Sequence, residues 1–117
     1  MSLAGDTIGT RSYEVEFRGH EAGEWMLYAV ELSFDPDNNG RRLELRPAHR
    51  ESLAGLFAEG VLKMSGPWED DSGALLIFDT DAEGIERILA DDPYFAAPGV
   101  DVVAVRRWQT IVGTFSQ

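Results

Sequence analysis

The chain has 117 residues, no cysteine, 44% hydrophobic and 26% charged residues, and a net charge of −11 from 21 acidic and 10 basic side chains. That length fits one domain with one core, and the composition excludes a disordered chain, a disulfide scaffold and a cysteine-ligated metal site. The acidic field argues against nucleic acid and anionic membrane surfaces as partners, and the apolar runs are too short to span a bilayer.

Met1-Ser2-Leu3 does not open a basic-then-apolar leader, so a cytoplasmic address is the default expectation. Residues 12–17 alternate, with Tyr13, Val15 and Phe17 on one side and Glu14 and Glu16 on the other, which predicts a short strand or ordered arm. A stronger strand is predicted over residues 25–34, where Met26, Tyr28, Val30, Leu32 and Phe34 make an apolar face. Asp35-Pro36-Asp37-Asn38-Asn39-Gly40 then supplies concentrated turn chemistry.

A helix follows, ending at Gly60 as its C-terminal cap, with Leu53, Leu56 and Phe57 as its apolar stripe. It starts near Arg41 with a kink at Pro47, or at Pro47 itself. Residues 61–65 and 74–78 read as strands around a hairpin loop running from Gly66 to Gly73. Thr80 and Glu83 have the spacing of a capping box for a second helix, whose buried stripe is Ile85, Ile88 and Leu89 and which Pro93 ends. Residues 100–108 alternate as the last strand.

The order β-α-β-β-α-β, with an extra N-terminal strand, predicts an α+β chain of the ferredoxin-like plan. Both helices then cover one face of the sheet. The other face must meet water, a ligand or a second subunit; Trp25 and Trp108 on strands either lie there and favour a two-fold homodimer packed sheet against sheet, or sit under the helices.

One segment reverses the sign of the chain. Arg41, Arg42, Arg46 and Arg50 fall within residues 41–50 beside His49 and a single acid, Glu44. On a helix Arg42, Arg46 and Arg50 share a face, and cations near a helix start oppose its macrodipole. Arg41 and Arg42 are expected to pair with surface acids, while Arg46 is a candidate for holding an anion. His49 titrates near neutral pH and could move a proton, with Asp35 or Asp37 at the preceding strand end as candidate partners. His20, in a turn, has no such setting. Metal binding is not expected: the two histidines are far apart, and the acids of Asp70-Asp71 and Asp91-Asp92 are adjacent and point apart. No phosphate-binding glycine loop and no serine nucleophile elbow occurs. Ser65 is a conceivable hydroxyl donor at a strand end.

Arg46-Pro47-Ala48-His49-Arg50-Glu51-Ser52-Leu53, then Gly60 and Ser65-Gly66-Pro67, then Asp92-Pro93-Tyr94, resemble the YciI-like (YCII-related) family in order and spacing. Arg107-Trp108 resembles that family's final strand. The resemblance covers residues 25–117, leaving 1–24 as an N-terminal extension. It implies a ferredoxin-like chain that dimerises into an α+β barrel, with a site built around a histidine on the first helix and an aspartate. His49 matches that histidine, and Asp35 or Asp37 stands where the aspartate is expected. Asp92 matches the Asp-Pro-Tyr motif, where it could also hydrogen-bond the backbone to end the helix, and Tyr94 lines the same pocket. Ser65 stands where many relatives have alanine.

Some relatives resemble a dehydrochlorinase or muconolactone isomerase. The leading expectation is therefore a cofactor-independent lyase or isomerase acting on a small anionic or aromatic-derived molecule. His49 would be its acid/base and Arg46, Ser65, Asp92 and Tyr94 its substrate-binding groups. The alternative is a non-catalytic module that binds a small ligand or partner through the same cleft, and a third reading is a cofactor-free monooxygenase.

Overall fold

The computed structural model describes residues 26–113; the anticipated strand at 12–17, His20 and Trp25 lie outside them. β1 (Met26–Phe34) alternates as its sequence requires, sending Tyr28, Val30, Leu32 and Phe34 into the core. It is followed by α1 (Gly40–Ala58), β2 (Leu62–Pro67), β3 (Gly73–Thr80), α2 (Ala82–Asp91), a 3-10 turn (Pro93–Ala96) and β4 (Val100–Trp108). The strands form one antiparallel sheet in the order β2-β3-β1-β4. This is the ferredoxin-like plan, with the helices and the 3-10 turn over the face that holds Tyr28, Phe78 and Val105.

Several local features differ from the sequence expectation for identifiable reasons. Gly60 (φ +84°) does cap α1: its N–H donates to Phe57 O at 3.0 Å and the N–H of Val61 donates to Leu56 O at 2.9 Å, a Schellman motif. At the other end α1 begins at Gly40, so Pro47 lies inside the helix. Leu56 is half-buried but Phe57 is exposed, because one residue further turns the side chain about 100° away from the sheet. For α2 the cap is Asp81, not Thr80: Asp81 Oδ1 accepts the Gly84 N–H at 2.8 Å. Thr80 is unavailable because β3 runs further than anticipated, pairing Asp79 with Leu27 and Thr80 with Met26.

The second face of the sheet carries Leu27, Ala29, Ile77, Met64 and Trp108, as the register dictates. Leu27 and Ile77 are buried there although they stand outside the main core, while Met64 and Trp108 are about half exposed at 58% and 48%. Met64 reaches this face because Lys63 is an extra residue between the pairs Leu62–Phe78 and Met64–Ile77. The same bulge returns Ser65, opposite Leu76, to the side beneath α1. Among the described residues no helix is long and apolar enough to cross a membrane.

Candidate active site

α1 is an unusual helix for one that covers a core. Its two buried residues are Arg42 and His49, seven positions apart and therefore on one face, with Leu45, Leu53 and Leu56 only partly buried beside them. Instead of closing on the sheet with an apolar stripe, the helix overhangs a cavity of about 280 Å³. Leu32, Leu53, Leu76 and Tyr94 are among its apolar walls, and Arg42, Arg46, His49 and Arg50 reach it from α1.

The segment after α2 fixes His49. Pro93 cannot continue α2, and Asp92 leaves helical geometry (φ −108°, ψ 109°) to cap the 3-10 turn. One carboxylate oxygen, Oδ1, accepts the Tyr94 N–H at 3.0 Å. The other, Oδ2, lies 2.6 Å from His49 Nδ1. The Tyr94 ring stacks on the imidazole at 3.7 Å between centroids and 6° between planes, and Phe95 meets its edge at 5.4 Å. Three residues of one short turn, Asp92, Tyr94 and Phe95, thus hold the imidazole by a hydrogen bond, a face and an edge.

An ionised carboxylate only accepts, so Nδ1 carries the shared proton and Nε2 is left as the acceptor of a neutral imidazole. Among the described residues Nε2 has no hydrogen-bond partner. Burial pushes the pKa of His49 below its ordinary 6.5; the hydrogen bond and charge of Asp92 oppose this, and Arg50 adds to it. At neutral pH the ring is therefore a base held in one tautomer, with a carboxylate behind it to stabilise the imidazolium once it takes a proton.

Tyr94 connects this pair to Arg42. Its hydroxyl accepts from Arg42 Nη1 at 3.2 Å, Arg42 Nε donates to Asn39 Oδ1 at 3.0 Å, and the guanidinium lies 3.9 Å above the Phe34 ring. Arg42 does meet a surface acid as expected, Asp71 at 3.6 Å, but its own side chain is buried, at 2% exposed, and faces the cavity. Arg41 does pair at the surface, with Glu44 at 2.9 Å.

The aspartate assignment is also corrected. Asp35 and Asp37 are exposed, and Asp35 Oδ1 accepts the Asp37 N–H at 2.9 Å, closing the turn that the sequence predicted. Neither touches His49 nor lines the cavity; Asp92 is the aspartate bonded to it. Arg46, Ser65 and Tyr94 all line the cavity, Ser65 from the β2 side. Arg42 and Arg50 were the missed residues, and their spacing of four from Arg46 on either side was the signal available in the sequence. Among the described residues no cluster of three or more His, Cys, Asp or Glu side chains could hold a metal.

A ferredoxin-like sheet with a buried histidine–aspartate pair under its first helix defines the class of protein. The chain belongs to the YCII-related domain family, whose model matches residues 26–109. That span covers the whole sheet, both helices and every residue of the cavity. No curated protein matches the chain.

Proposed function

We propose that the protein is a cofactor-independent enzyme of the lyase or isomerase type acting on a small anionic molecule. The observation that carries this reading is the 2.6 Å contact between His49 and Asp92 at a cavity lined by arginines. His49 Nε2 removes a proton from a carbon acidified by a neighbouring carbonyl or carboxylate; Asp92 stabilises the imidazolium; the proton is then returned to another position or accompanies a leaving group. Arg46 binds the anionic group, and Tyr94, stacked on the imidazole, keeps the ring in its plane. The burial of His49, 6% exposed, supports an enzyme over a simple binding module, in which the ring would have no reason to be withdrawn from water.

The working unit in this proposal is a homodimer. The sheet face opposite the helices bears Met64 and Trp108, both about half exposed, on the same side as Leu27, Ala29 and Ile77, and a second copy would cover them.

The decisive experiment replaces His49 by Ala and follows proton exchange or turnover on a panel of small carboxylic acids and lactones. Loss of turnover with an unchanged melting profile is the expected result. Retained turnover would show that His49 does not move the proton.

A further inference from the structure

The sign of the cavity says more about its ligand than the histidine does. Arg42, Arg46 and Arg50 follow one another at intervals of four along α1, so each side chain stands about 6 Å further along the helix axis than the last. Like charges at this spacing repel, and Arg42 sits in the first helical turn, where the macrodipole disfavours a cation. Among the described residues a single carboxylate, Asp71, stands against the row. Among the described residues no carboxylate comes within ion-pair distance of Arg46 or Arg50. Arg42 spends its Nε and Nη1 on the neutral acceptors Asn39 Oδ1 and Tyr94 Oη, which aim the guanidinium without cancelling its charge. Its one acidic neighbour, Asp71, is 62% exposed on the β2–β3 loop and 3.6 Å away. Asp92 stands behind His49, outside the lining, with both oxygens already engaged.

Three guanidiniums thus line a small cavity against one carboxylate, in a chain whose net charge is −11. A row of cations that weakens its own helix, running from buried Arg42 through half-buried Arg46 to exposed Arg50 with one acid against three charges, has a use when an anion arrives.

We propose that the cavity takes a dianion: a short apolar backbone with two acidic groups, held along α1 by Arg42, Arg46 and Arg50. This deepens the substrate reading above and rests on it. One acidic group sits at the deep end between Arg42 and Arg46, where a guanidinium fork can bind a carboxylate through two hydrogen bonds. The second lies toward Arg50 at the mouth. The backbone between them runs past Leu53 and Leu76, which places the carbon next to either acid beside His49. The cavity, at about 280 Å³, is at the small end of ligand sites and suits a compact molecule of this kind.

The test is titration calorimetry on the full chain at constant ionic strength with adipate, hexanoate and 1,6-diaminohexane as probes. Adipate should bind at least about tenfold more tightly than hexanoate, and the diamine should not bind. Arg46→Gln and Arg50→Gln should each weaken adipate by about fivefold or more and narrow its advantage over hexanoate. Arg42→Gln could fail to fold because Arg42 joins Asn39 to Tyr94; the other two variants carry the test without it. Equal affinities for the two acids, binding of neither, or adipate binding indifferent to both variants overturns the proposal. Binding is read without turnover, so a failure here is separate from a failure of His49 as the acid/base.

Discussion

His49 Nδ1 and Asp92 Oδ2 lie 2.6 Å apart although 43 residues separate them in the chain. α1 carries the ring and the turn after α2 carries the carboxylate, and the pair forms where these two elements meet. Asp92→Asn would keep the shape and remove both the charge behind the imidazolium and the acceptor that fixes the tautomer. Turnover should fall by about 10²-fold or more. Asp35→Asn and Asp37→Asn should leave it within about twofold, since neither reaches the cavity. Steady-state rates for the three variants check this, and an Asp35 or Asp37 effect as large as that of Asp92 would reject the assignment.

Acid should destabilise the protein through His49. Burial lowers its pKa below 6.5, so the folded chain binds the proton less readily than the unfolded chain does. The stability contributed by the neutral ring is fully present above the unfolded value of 6.5 and is lost as the pH falls from there toward the lowered folded value. Urea denaturation of the native chain and of His49→Gln should show the difference between them shrinking on going from about pH 7.5 to 5.5. The acid limb of kcat/KM should accordingly have a midpoint below 6.5.

Tyr94→Phe keeps the ring on His49 and removes the hydroxyl that accepts from Arg42. A buried guanidinium N–H then loses its acceptor, which should cost about 1–3 kcal/mol. Chemical denaturation measures the loss. Tyr94→Leu removes the stack as well, and should add a catalytic defect that Tyr94→Phe largely lacks.

The half-exposed Met64 and Trp108 on the second sheet face predict the oligomeric state. Sedimentation should give a dimer for the native chain and a monomer for Met64→Glu combined with Trp108→Glu. Both side chains are already half in water, so the folded monomer should tolerate the change, and circular dichroism should be unaltered. A native monomer would remove the dimer from the proposed function.

Much of the fold was legible because local chemistry and burial agree along this chain. β1 alternates so cleanly that Tyr28, Val30, Leu32 and Phe34 could be assigned to the core on period alone. β4 likewise spans the predicted residues 100–108, although an extra residue at Val103 shifts its alternation, and Gly60 terminates α1 as its lack of a side chain permits. Boundaries went wrong where pairing overrode a local signal. Thr80 and Glu83 have the spacing of a capping box, yet β3 holds Thr80 against Met26 and passes the cap to Asp81.

By itself, the sequence determined the acidic total, the α+β order, the basic segment around His49 and the motifs of the family to which the chain belongs. Only the tertiary structure decided which aspartate bonds to the histidine and whether an arginine is buried. Asp35 and Asp37 are nearer in sequence to His49 than Asp92 is, but chain proximity at a strand end is no measure of where a carboxylate points once turns close. Asp35 turns back to its own loop, whereas Pro93 bends the chain after α2 so that Asp92 faces α1. Arg42 resembles a surface cation in sequence. Only the overhang of α1, with Tyr94 and Asn39 as acceptors and Phe34 beneath, makes it part of the cavity. Contacts of that kind depend on where separate elements converge, and no local period encodes them.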